Sequence, residues 1–322
     1  MTYPKLRSDG PYGKPPLKTG SAFLACDWGT TNLRAWVIGE DGGVIRSRDF
    51  PLGVAKLAPG EAARRFREEV RPGLVAEHLP AILSGMIGST LGWAVADYLP
   101  CPAGRDELKA ALLTVDKEVR IVPGLRTRGP FGASDVMRGE ETQILGWLHA
   151  DPARLKGRQV VCHPGTHAKW AICRDGRIVD FLTSMTGELY AVLTKHSVLA
   201  TNAPPFDDKG VDDKAFDEGL AAAGDGGGLA SRLFSARARV VADGKPADGS
   251  GSYLSGLIIG ADVAAAPGLL GVKGAPVAVL GEPHLCRSYA RALTAAGVDA
   301  SIHDGDAASI AGLTALQGDL TS

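Results

Sequence analysis

The sequence predicts an α/β fold of two related halves, and three observations lead to that prediction. The first is a repeat: residues 26–31 (CDWGTT) and 162–167 (CHPGTH) each follow an apolar run, turn at a Gly-Thr pair and lead into further apolar residues. The second is that an Asp-Gly turn and a β-branched run come next in both places, at 41–42 and 175–176. The third is the length of 322 residues, which suits two domains. An internal repeat of this kind indicates two halves of common design.

The amino-acid balance narrows the class of protein. The chain carries 35 basic and 36 acidic residues, a formal net charge of −1, which argues against a broad nucleic-acid surface. Its 5 cysteines include no CxxC pair, and their odd number fits a reducing cytoplasm better than a disulfide-bearing compartment. No apolar run approaches the ~20 residues of a membrane span, so we expect no membrane partner.

Hydrophobic spacing predicts the elements of the first half. Short apolar and β-branched runs indicate strands, and apolar residues three or four apart indicate helices. Phe66, Val70 and Leu74 recur at helical spacing, as do Ile144 and Leu148. We expect strands at 22–26, 33–38, 44–50, 81–83 and 119–122, and helices at 61–77, 105–113 and 140–149.

The second half repeats this order. We expect strands at 159–162, 169–173, 178–183 and 277–280, a helix from residue 187, and helices at 252–264, 285–296 and 307–316. The helix at 252–264 is apolar nearly all round, which predicts burial.

A boundary near Asp151-Pro152 divides the chain into an N-terminal domain at 21–152 and a C-terminal domain at 153–322. Residues 1–20 are rich in Pro, Gly and Lys and lack an apolar signal core. We interpret them as a flexible tail, with a strap lying on the surface as the alternative.

The first Gly-Thr turn is the leading candidate for a binding site. Asp27 ends a buried strand, where a carboxylate is costly unless it meets a charged partner or a metal. Gly29 allows the turn, and Thr30, Thr31 and Asn32 offer polar groups that suit phosphates. An ordinary hairpin with polar turn residues is the alternative, and the second copy of the turn argues against it.

The second Gly-Thr turn offers Gly165, Thr166, His167 and Lys169 to the same phosphates. His163 and His167 stand four apart, as a helical metal pair would, but the intervening Pro-Gly pair breaks the helix that such a pair needs. We therefore expect phosphate-facing groups here, with a solvated strand residue as the alternative for Lys169.

Acidic residues cluster at 135–143 (DVMRGEETQ), just before a predicted helix. Negative charge at a helix N-terminus complements the helix dipole, which would account for Glu140 and Glu141. The functional interpretation makes one carboxylate the base that accepts a hydroxyl proton. Because the segment ends the first half and precedes the second turn, we expect it at the floor of a cleft.

Two further segments are candidates for substrate binding. Residues 84–89 (SGMIGS) follow a buried strand, and a tight strand-to-helix turn is the alternative interpretation. Small residues there would let a substrate approach the backbone closely, at Ser84, Gly85, Met86, Ile87 and Gly88. Residues 183–188 (TSMTGE) add Glu188, with a helix cap at Ser184 or Thr186 as the alternative.

These segments together resemble the 2-dehydro-3-deoxygalactonokinase family, a branch of the superfamily of sugar kinases, hexokinase, actin and the heat-shock ATPases. The matching stretches are DWGTTNLRAW (27–36), SGMIGSTLGW (84–93), PCPAG (100–104), VMRGEETQILG (136–146), PGTHAKW (164–170), MTGELYAVL (185–193) and LSGLIIGADV (254–263). Their order and joint presence are specific. Walker A, GxSxG, HExxH and strand-linked GxGxxG signatures are absent, which disfavours the enzyme classes that carry them.

The resemblance implies two RNase H-like domains of the actin/hexokinase type flanking an ATP cleft. It implies Mg²⁺-dependent phosphoryl transfer from ATP to the 6-hydroxyl of 2-dehydro-3-deoxy-D-galactonate, in cytoplasmic galactonate catabolism. Asp27 would help to hold Mg²⁺, and the two Gly-Thr turns would hold the phosphates. Glu140 would be the catalytic base, with Asp135 in reserve, and Gly256 and Gly281 would pack the nucleotide.

The chain departs from the family pattern at three positions. Thr90 stands where Arg is usual, His163 where Leu is usual, and Ala168 where Ser is usual. Arginine can bind a carboxylate through two hydrogen bonds and threonine cannot, so Thr90 leaves open which residue binds the acid group of the sugar.

We expect a small sugar-acid substrate and direct in-line transfer without a covalent enzyme intermediate. One alternative is a kinase for 2-dehydro-3-deoxygluconate or another short acid sugar. The other is a nucleotide-gated binding protein that uses the same cleft without a sugar. We expect no nucleic-acid partner, and a homodimer stays open.

Overall fold

The computed structural model describes residues 22–200, 212–224 and 228–317. The predicted tail at 1–20 lies outside these ranges. The described part of the first half contains nine strands: β1 (Phe23–Trp28), β2 (Leu33–Ile38), β3 (Val44–Phe50), β4 (Ala81–Gly85), β5 (Tyr98–Pro100), β6 (Leu113–Asp116), β7 (Val119–Ile121), β8 (Gly124–Arg128) and β9 (Ser134–Met137). Its helices are α1 (Glu61–Arg65), continued through a π turn (Phe66–Val70) into α2 (Arg71–Leu74), then α3 (Arg105–Ala110) and α4 (Glu140–His149).

The described part of the second half contains five strands: β10 (Arg158–His163), β11 (Ala168–Arg174), β12 (Arg177–Ser184), β13 (Val277–Gly281) and β14 (Ala300–Asp304). Its helices are α5 (Thr186–His196), α6 (Asp213–Ala223), α7 (Leu229–Arg232), α8 (Ser235–Val241), α9 (Ser250–Leu269), α10 (Pro283–Ala295) and α11 (Gly305–Gln317).

The two main sheets share one topology, which confirms the predicted repeat. The first sheet has the order β3-β2-β1-β4-β7-β6, and the second has the order β12-β11-β10-β13-β14. In each, three antiparallel strands form a meander, and the first strand of the meander pairs in parallel with the next strand of the sheet. A third, small sheet has the order β5-β8-β9. Each Gly-Thr turn therefore joins the first two strands of its sheet.

Helices α4 and α11 cross between the two sheets at very short range. A Cβ placed on Gly146 would stand 2.0 Å from the carbonyl oxygen of Ala308, and one on Gly312 would stand 2.0 Å from that of Thr142. Only glycine permits this approach of the two backbones. The apolar cluster around the crossing draws buried side chains from both halves, including Phe23, Ile144, Val161, Ala278 and Leu313. The same packing that builds the core therefore brings the ends of the two sheets together.

Several predicted boundaries are wrong, for local reasons. The helix predicted at 61–77 ends at Leu74, because Val75 takes a left-handed backbone conformation with φ of 54°. The helix predicted at 105–113 ends at Ala110, because Leu113 begins an edge strand. Five strands have no counterpart among the predicted elements: β5, β6, β8, β9 and β14. They are three to five residues long and mostly half-buried or exposed, so they lack a strong apolar run.

The expectation that no apolar stretch approaches the length of a membrane span is wrong for helix α9, which is long and apolar enough to cross a membrane by length and composition alone. Of its most apolar 18-residue window, 67% is buried inside the protein, as in the core helix of a soluble fold. The predicted burial of this helix is thus confirmed.

We propose that the two halves divide near Asp151-Pro152. The first main sheet is built from residues 23–121 and the second from residues 158–304. The last helix, α11, returns to contact α4, β1 and β4 of the first half.

Candidate active site

Asp27 lies where the first sheet meets helices α4 and α11. It stands opposite Arg34 on β2 and Ser84 on β4, and it is 9% exposed. Its Oδ2 accepts from Arg34 Nη2 at 2.8 Å, and from Gln143 Nε2 and Ser309 Oγ at 3.4 Å each. Its Oδ1 faces Gly85, where a Cβ would stand 3.2 Å away. One carboxylate oxygen is therefore saturated by protein donors, and the other faces the end of β4.

Arg34 connects Asp27 to the second half. Its Nη1 lies 2.5 Å from Asp306 Oδ1 at the start of α11 and 3.5 Å from Glu282 Oε1 after β13. Burial by itself would lower the pKa of the Arg34 guanidinium, but the carboxylates outweigh burial and raise the pKa. Burial raises the pKa of Asp306, and the nearby charges of Asp304, Glu282 and Asp27 add to that shift while Arg34 opposes it. Arg34 is thus the cation of an acidic cluster that spans both halves.

The backbone of the first Gly-Thr turn is fixed by hydrogen bonds, and its side chains are exposed. The N–H of Gly29 donates to the carbonyl of Asn32 at 2.9 Å and closes the turn. Residues 53–55 donate backbone N–H groups to the carbonyls of Gly29, Thr30 and Thr31. The side chains of Thr30, Thr31 and Asn32 are exposed. A fixed turn with exposed hydroxyls can receive phosphate oxygens.

The second Gly-Thr turn has the same exposure and a different support. Thr166 and His167 are exposed, and helix α5 begins directly behind them. A Cβ on Gly187 would stand 2.4 Å from the carbonyl oxygen of Gly165, so the helix contacts the turn through a glycine. The N–H of Glu188 donates to the carbonyl of Thr166 at 2.9 Å, and its carboxylate pairs with His167 Nε2.

Gln143 on α4 connects the two repeated segments. His163 precedes the second turn as Asp27 precedes the first, and its Nε2 lies 2.8 Å from Gln143 Oε1. Because the amide oxygen can only accept, the imidazole donates from Nε2. Burial lowers the pKa of His163, so its ring is neutral near pH 7. The ends of β1 and β10 therefore meet at one side chain.

Glu140 begins α4 at this meeting point. Gly139 precedes it with φ of 110°, and a Cβ there would stand 3.2 Å from the Cα of Gly85. Glu140 Oε2 accepts the N–H of Arg138 at 3.0 Å, and Oε1 lies 3.8 Å from the Nζ of Lys169. Lys169 is 4% exposed, whereas the Glu140 side chain keeps 20% of its surface. Glu140 is therefore a reachable carboxylate beside a buried cation.

Glu141 has a different environment from its neighbour. It is completely buried, and it accepts the N–H of Gly139 at 2.6 Å and the hydroxyl of Thr142 at 3.0 Å. Burial, helped by the charge of Glu140, raises the pKa of Glu141 to about 8. This carboxyl group therefore keeps its proton to a higher pH than an ordinary glutamate does, and it caps its own helix.

Asp135, the reserve base, is engaged in holding two strands together. Its carboxylate accepts the N–H of Thr183 at 2.7 Å and the Thr183 hydroxyl at 2.6 Å. It also accepts the N–H of Val136 at 2.7 Å. These contacts link β9 to β12 and leave Asp135 less free than Glu140 to take a proton from a substrate.

The segment at 84–88 lies between Asp27 and Arg138. Ser84 is buried and donates to the carbonyl of Cys26 at 3.4 Å. A short 3₁₀ turn follows at Met86–Gly88, and a Cβ on Gly88 would stand 2.8 Å from Arg138 Nη1. Glu188, the other predicted substrate residue, lies at the second Gly-Thr turn instead.

The two glycines assigned to the nucleotide have different surroundings. Gly281 ends β13 with φ of 144°, and a Cβ there would stand 3.5 Å from the carbonyl oxygen of Pro164 beside the second turn. Gly256 contacts helix α6, where a Cβ would stand 2.1 Å from the carbonyl oxygen of Phe216. Helix packing accounts for Gly256, and its nucleotide role stays a prediction.

A cavity of about 420 Å³ opens beside the start of α5. Its lining comes from α9, from the end of β12 and the start of α5, and from the end of α6 and the start of α7, including Ser184, Met185, Thr186, Ile258, Ala261 and Asp262. Asp262 Oδ2 accepts from Trp170 Nε1 at 2.9 Å and from the Tyr289 hydroxyl at 2.8 Å. Burial raises the pKa of Asp262, and hydrogen bonds from Ser184, Trp170 and Tyr289 oppose that shift.

Three contact residues are missing from the predicted site: Arg34, Gln143 and Asp262. Arg34 has a signal in the hairpin register, since it faces Asp27 across the first turn. Asp262 has one as the lone acid in an apolar helical stretch. Gln143 has none, because its partners lie 116 and 20 residues away along the chain.

The donor set fits a magnesium ion carried by a nucleotide rather than one held by the protein alone. Among the residues that the structure describes, no group of three or more His, Cys, Asp or Glu side chains is arranged to hold a metal. Magnesium is usually bound through one or two carboxylates together with waters and substrate phosphates. The Oδ1 of Asp27 meets that requirement, since its other oxygen already has three donors.

Comparison with known proteins identifies the family. Residues 27–316 match the family model described as 2-keto-3-deoxy-galactonokinase. The chain is 36% identical over 304 residues to the probable 2-dehydro-3-deoxygalactonokinase DgoK1 of Rhizobium meliloti (strain 1021), across 93% of this chain and 97% of that protein. It is 35% identical over 294 residues to the 2-dehydro-3-deoxygalactonokinase of Escherichia coli (strain K12), across 91% and 97%.

The fold agrees with these matches. A crystal structure of a candidate 2-dehydro-3-deoxygalactonokinase from Sinorhizobium meliloti is 36% identical and superimposes with a TM-score of 0.79, over 91% of this chain and 97% of that one. The expected two-domain α/β fold of the actin/hexokinase-like sugar kinases is confirmed, and membership of a kinase family implies use of ATP. The chain belongs to the 2-keto-3-deoxy-galactonokinase family.

Proposed function

We propose that this protein transfers a phosphoryl group from ATP to the 6-hydroxyl of 2-dehydro-3-deoxygalactonate. The names of its relatives support this substrate and reaction. The observation that carries the proposal is the convergence at Gln143, which joins Asp27 and His163 next to Glu140. Two exposed Gly-Thr turns, which would bind the phosphates, then lie close to one reachable carboxylate.

The nucleotide would extend from the cavity to the two turns. The cavity at α9 and the start of α5 adjoins the second Gly-Thr turn, which suits a base and ribose followed by phosphates. The hydroxyls and N–H groups of Thr30, Thr31 and Thr166 would hold the phosphate oxygens. Asp27 would hold Mg²⁺ through Oδ1, and the bound ion supplies positive charge that offsets the charge of the phosphate oxygens.

Glu140 would act as the base toward the sugar. Its side chain keeps 20% of its surface exposed, and its carboxylate would accept the proton of the attacking hydroxyl. The buried Lys169 beside it would stabilise the charge that develops on the transferred group. Direct in-line transfer needs only positioning and charge compensation from these residues, without a covalent intermediate. Closure of the two halves would exclude water, the competing acceptor.

The remaining expectations concern location and partners. All five cysteines are free thiols, which suits a reducing compartment and supports cytoplasmic location. A small sugar acid would be the partner at the site. The absence of nucleic-acid and membrane partners, and the open question of a homodimer, stay predictions.

A product assay tests the proposal. Purified protein, MgATP and a panel of 2-dehydro-3-deoxy sugar acids would be followed by ADP release, and the phosphorylated carbon assigned by ¹³C and ³¹P NMR. We expect the galacto acid to be preferred and its sixth carbon to carry the phosphate. Preference for the gluco epimer would mean that the proposed substrate is wrong and the proposed phosphoryl transfer is right. ATP hydrolysis that ignores every sugar acid would favour a nucleotide-gated binding protein.

A further inference from the structure

We propose that Arg138 binds the carboxylate of the sugar-acid substrate and thereby sets the preference for acids over neutral sugars. The inference rests on the proposed function, and it names the residue that recognises the acid group.

Arg138 is a buried guanidinium with most of its hydrogen-bonding capacity unused. The residue is 8% exposed. Its Nη2 donates to the carbonyl of Ala96 at 2.6 Å, and its guanidinium carbon lies 4.3 Å from the centre of the Tyr98 ring. Its Nε and Nη1 are shielded from solvent and have no hydrogen-bond partner within the part of the chain that the structure describes. These two atoms carry most of the N–H donors of a guanidinium.

Two other buried arginines show how the charge of a buried guanidinium is compensated elsewhere in this protein. Arg71 donates through Nη1 to three backbone carbonyls, at 2.7 to 3.0 Å. Arg239 also has a free Nε and Nη1, but its Nη2 pairs with Glu218 at 2.6 Å. Arg138 has neither arrangement, and no carboxylate of the described residues forms an ion pair with it. A buried charge without a counter-charge is costly, so the arrangement favours an anion that arrives from outside.

The position of Arg138 indicates which anion this is. Glu140 lies two residues after Arg138, and its carboxylate accepts the backbone N–H of Arg138 at 3.0 Å. Gly88 of the proposed substrate segment lies against Nη1, where a Cβ would stand 2.8 Å away. The phosphates of ATP already have two turns and Lys169 to meet them. The carboxylate of the sugar acid is the anion left without a partner.

The chemistry of the pair supports this assignment. Guanidinium and carboxylate groups form paired, charge-assisted hydrogen bonds that a neutral sugar cannot make. The 3₁₀ turn at Met86–Gly88 packs against Nη1 of the guanidinium, so the carboxylate would have to displace that turn to reach Nη1. Binding of the acid end would thereby fix the substrate beside Glu140.

The test compares an acid with its neutral counterpart. KM would be measured for 2-dehydro-3-deoxygalactonate and for its carboxamide, in wild type, Arg138→Met and Arg138→Lys. We expect Arg138→Met to raise KM for the acid about 100-fold and KM for the amide less than about 3-fold, as expected for loss of a charge-assisted hydrogen bond. Arg138→Lys keeps the positive charge but loses the paired donors of the guanidinium, so its KM for the acid should lie between those of wild type and Arg138→Met.

Arg239→Met is the matched control. It also removes a buried arginine that stacks on a tyrosine, Tyr253, but it lies among the helices of the second half. Its ratio of acid to amide KM should equal that of wild type. Calorimetric binding of the acid without nucleotide repeats the comparison for any variant that is too slow to assay, and melting temperatures identify variants that do not fold.

Several outcomes would overturn the proposal. Equal losses for acid and amide in Arg138→Met would mean that the residue is only structural. A weaker affinity for an ATP analogue with unchanged acid binding would assign the guanidinium to phosphate. If wild type phosphorylates the acid and Arg138→Met does so equally well, this inference fails and the proposed function stands. If wild type accepts only neutral sugars, both fail.

Discussion

Asp27 and His163 occupy equivalent positions in the two repeated segments, and Gln143 forms hydrogen bonds with both side chains. Each residue stands two places before the glycine of its turn. A single amide between the two strand ends therefore links the position of one Gly-Thr turn to that of the other.

Replacing Gln143 by Leu should remove the hydrogen bonds that link Asp27 and His163 while keeping a side chain of similar size. The change removes the partner of the half-buried His163 ring, so we expect the free energy of unfolding to fall by about 1–3 kcal/mol. Affinity for a non-hydrolysable ATP analogue should fall about 10-fold, as measured by calorimetry. Unchanged affinity in a folded variant would mean that the bridge does not position the turns.

Glu140→Gln should abolish most turnover without unfolding the protein. The amide cannot accept the hydroxyl proton, so we expect kcat to fall by about 10²–10⁴-fold, with affinity for the ATP analogue retained. Asp135→Asn is the comparison. It places an amide against the two donors of Thr183, which should lower stability by about 1–3 kcal/mol while kcat changes less than about 3-fold. The reverse pattern would make Asp135 the base.

Glu141→Gln should change how stability depends on pH. Burial raises the pKa of Glu141 to about 8 from its usual 4.5. The folded protein keeps a proton that the unfolded chain releases, so the contribution of this group is complete below about pH 4.5 and is lost as the pH rises to about 8. Glutamine is neutral throughout. The melting temperature of the variant should therefore rise relative to wild type between about pH 5 and 8, and a constant difference would contradict the buried, protonated state.

Gly187→Ala should weaken nucleotide binding through the second turn. The new Cβ would stand 2.4 Å from the carbonyl oxygen of Gly165, so either the helix or the turn must move. We expect affinity for the ATP analogue to fall about 10-fold, since backbone phosphate contacts depend on position. Gly268→Ala in α9 is the control: nothing lies within 4 Å of its Cβ, and alanine favours a helix. Equal affinities in the two variants would mean that the turn tolerates displacement.

The sequence predicted the features that depend on local pattern. The strands around Asp27 and His163 follow from apolar runs and Gly-Thr turns, and helix α4 follows from the spacing of Ile144 and Leu148. The turn at Val75 and the short strands of the third sheet have no such pattern, because tertiary contacts decide them.

The hydrogen-bond partners of individual side chains could not be predicted from sequence patterns, for a different reason. Arg138 is unusual because of what surrounds it, and its hydrogen-bond partner Ala96 lies 42 residues away. Asp262 meets Trp170 across 92 residues. Such contacts arise from the packing of α4, α9 and the sheets, so charge and spacing along the chain do not reveal them.

A crystal structure with a non-hydrolysable ATP analogue, Mg²⁺ and 2-dehydro-3-deoxygalactonate tests the central claim most directly. We expect a triphosphate held between residues 29–31 and 165–166, with the sugar 6-hydroxyl within hydrogen-bonding distance of Glu140. A triphosphate bound elsewhere, or a sugar hydroxyl out of reach of Glu140, would contradict it.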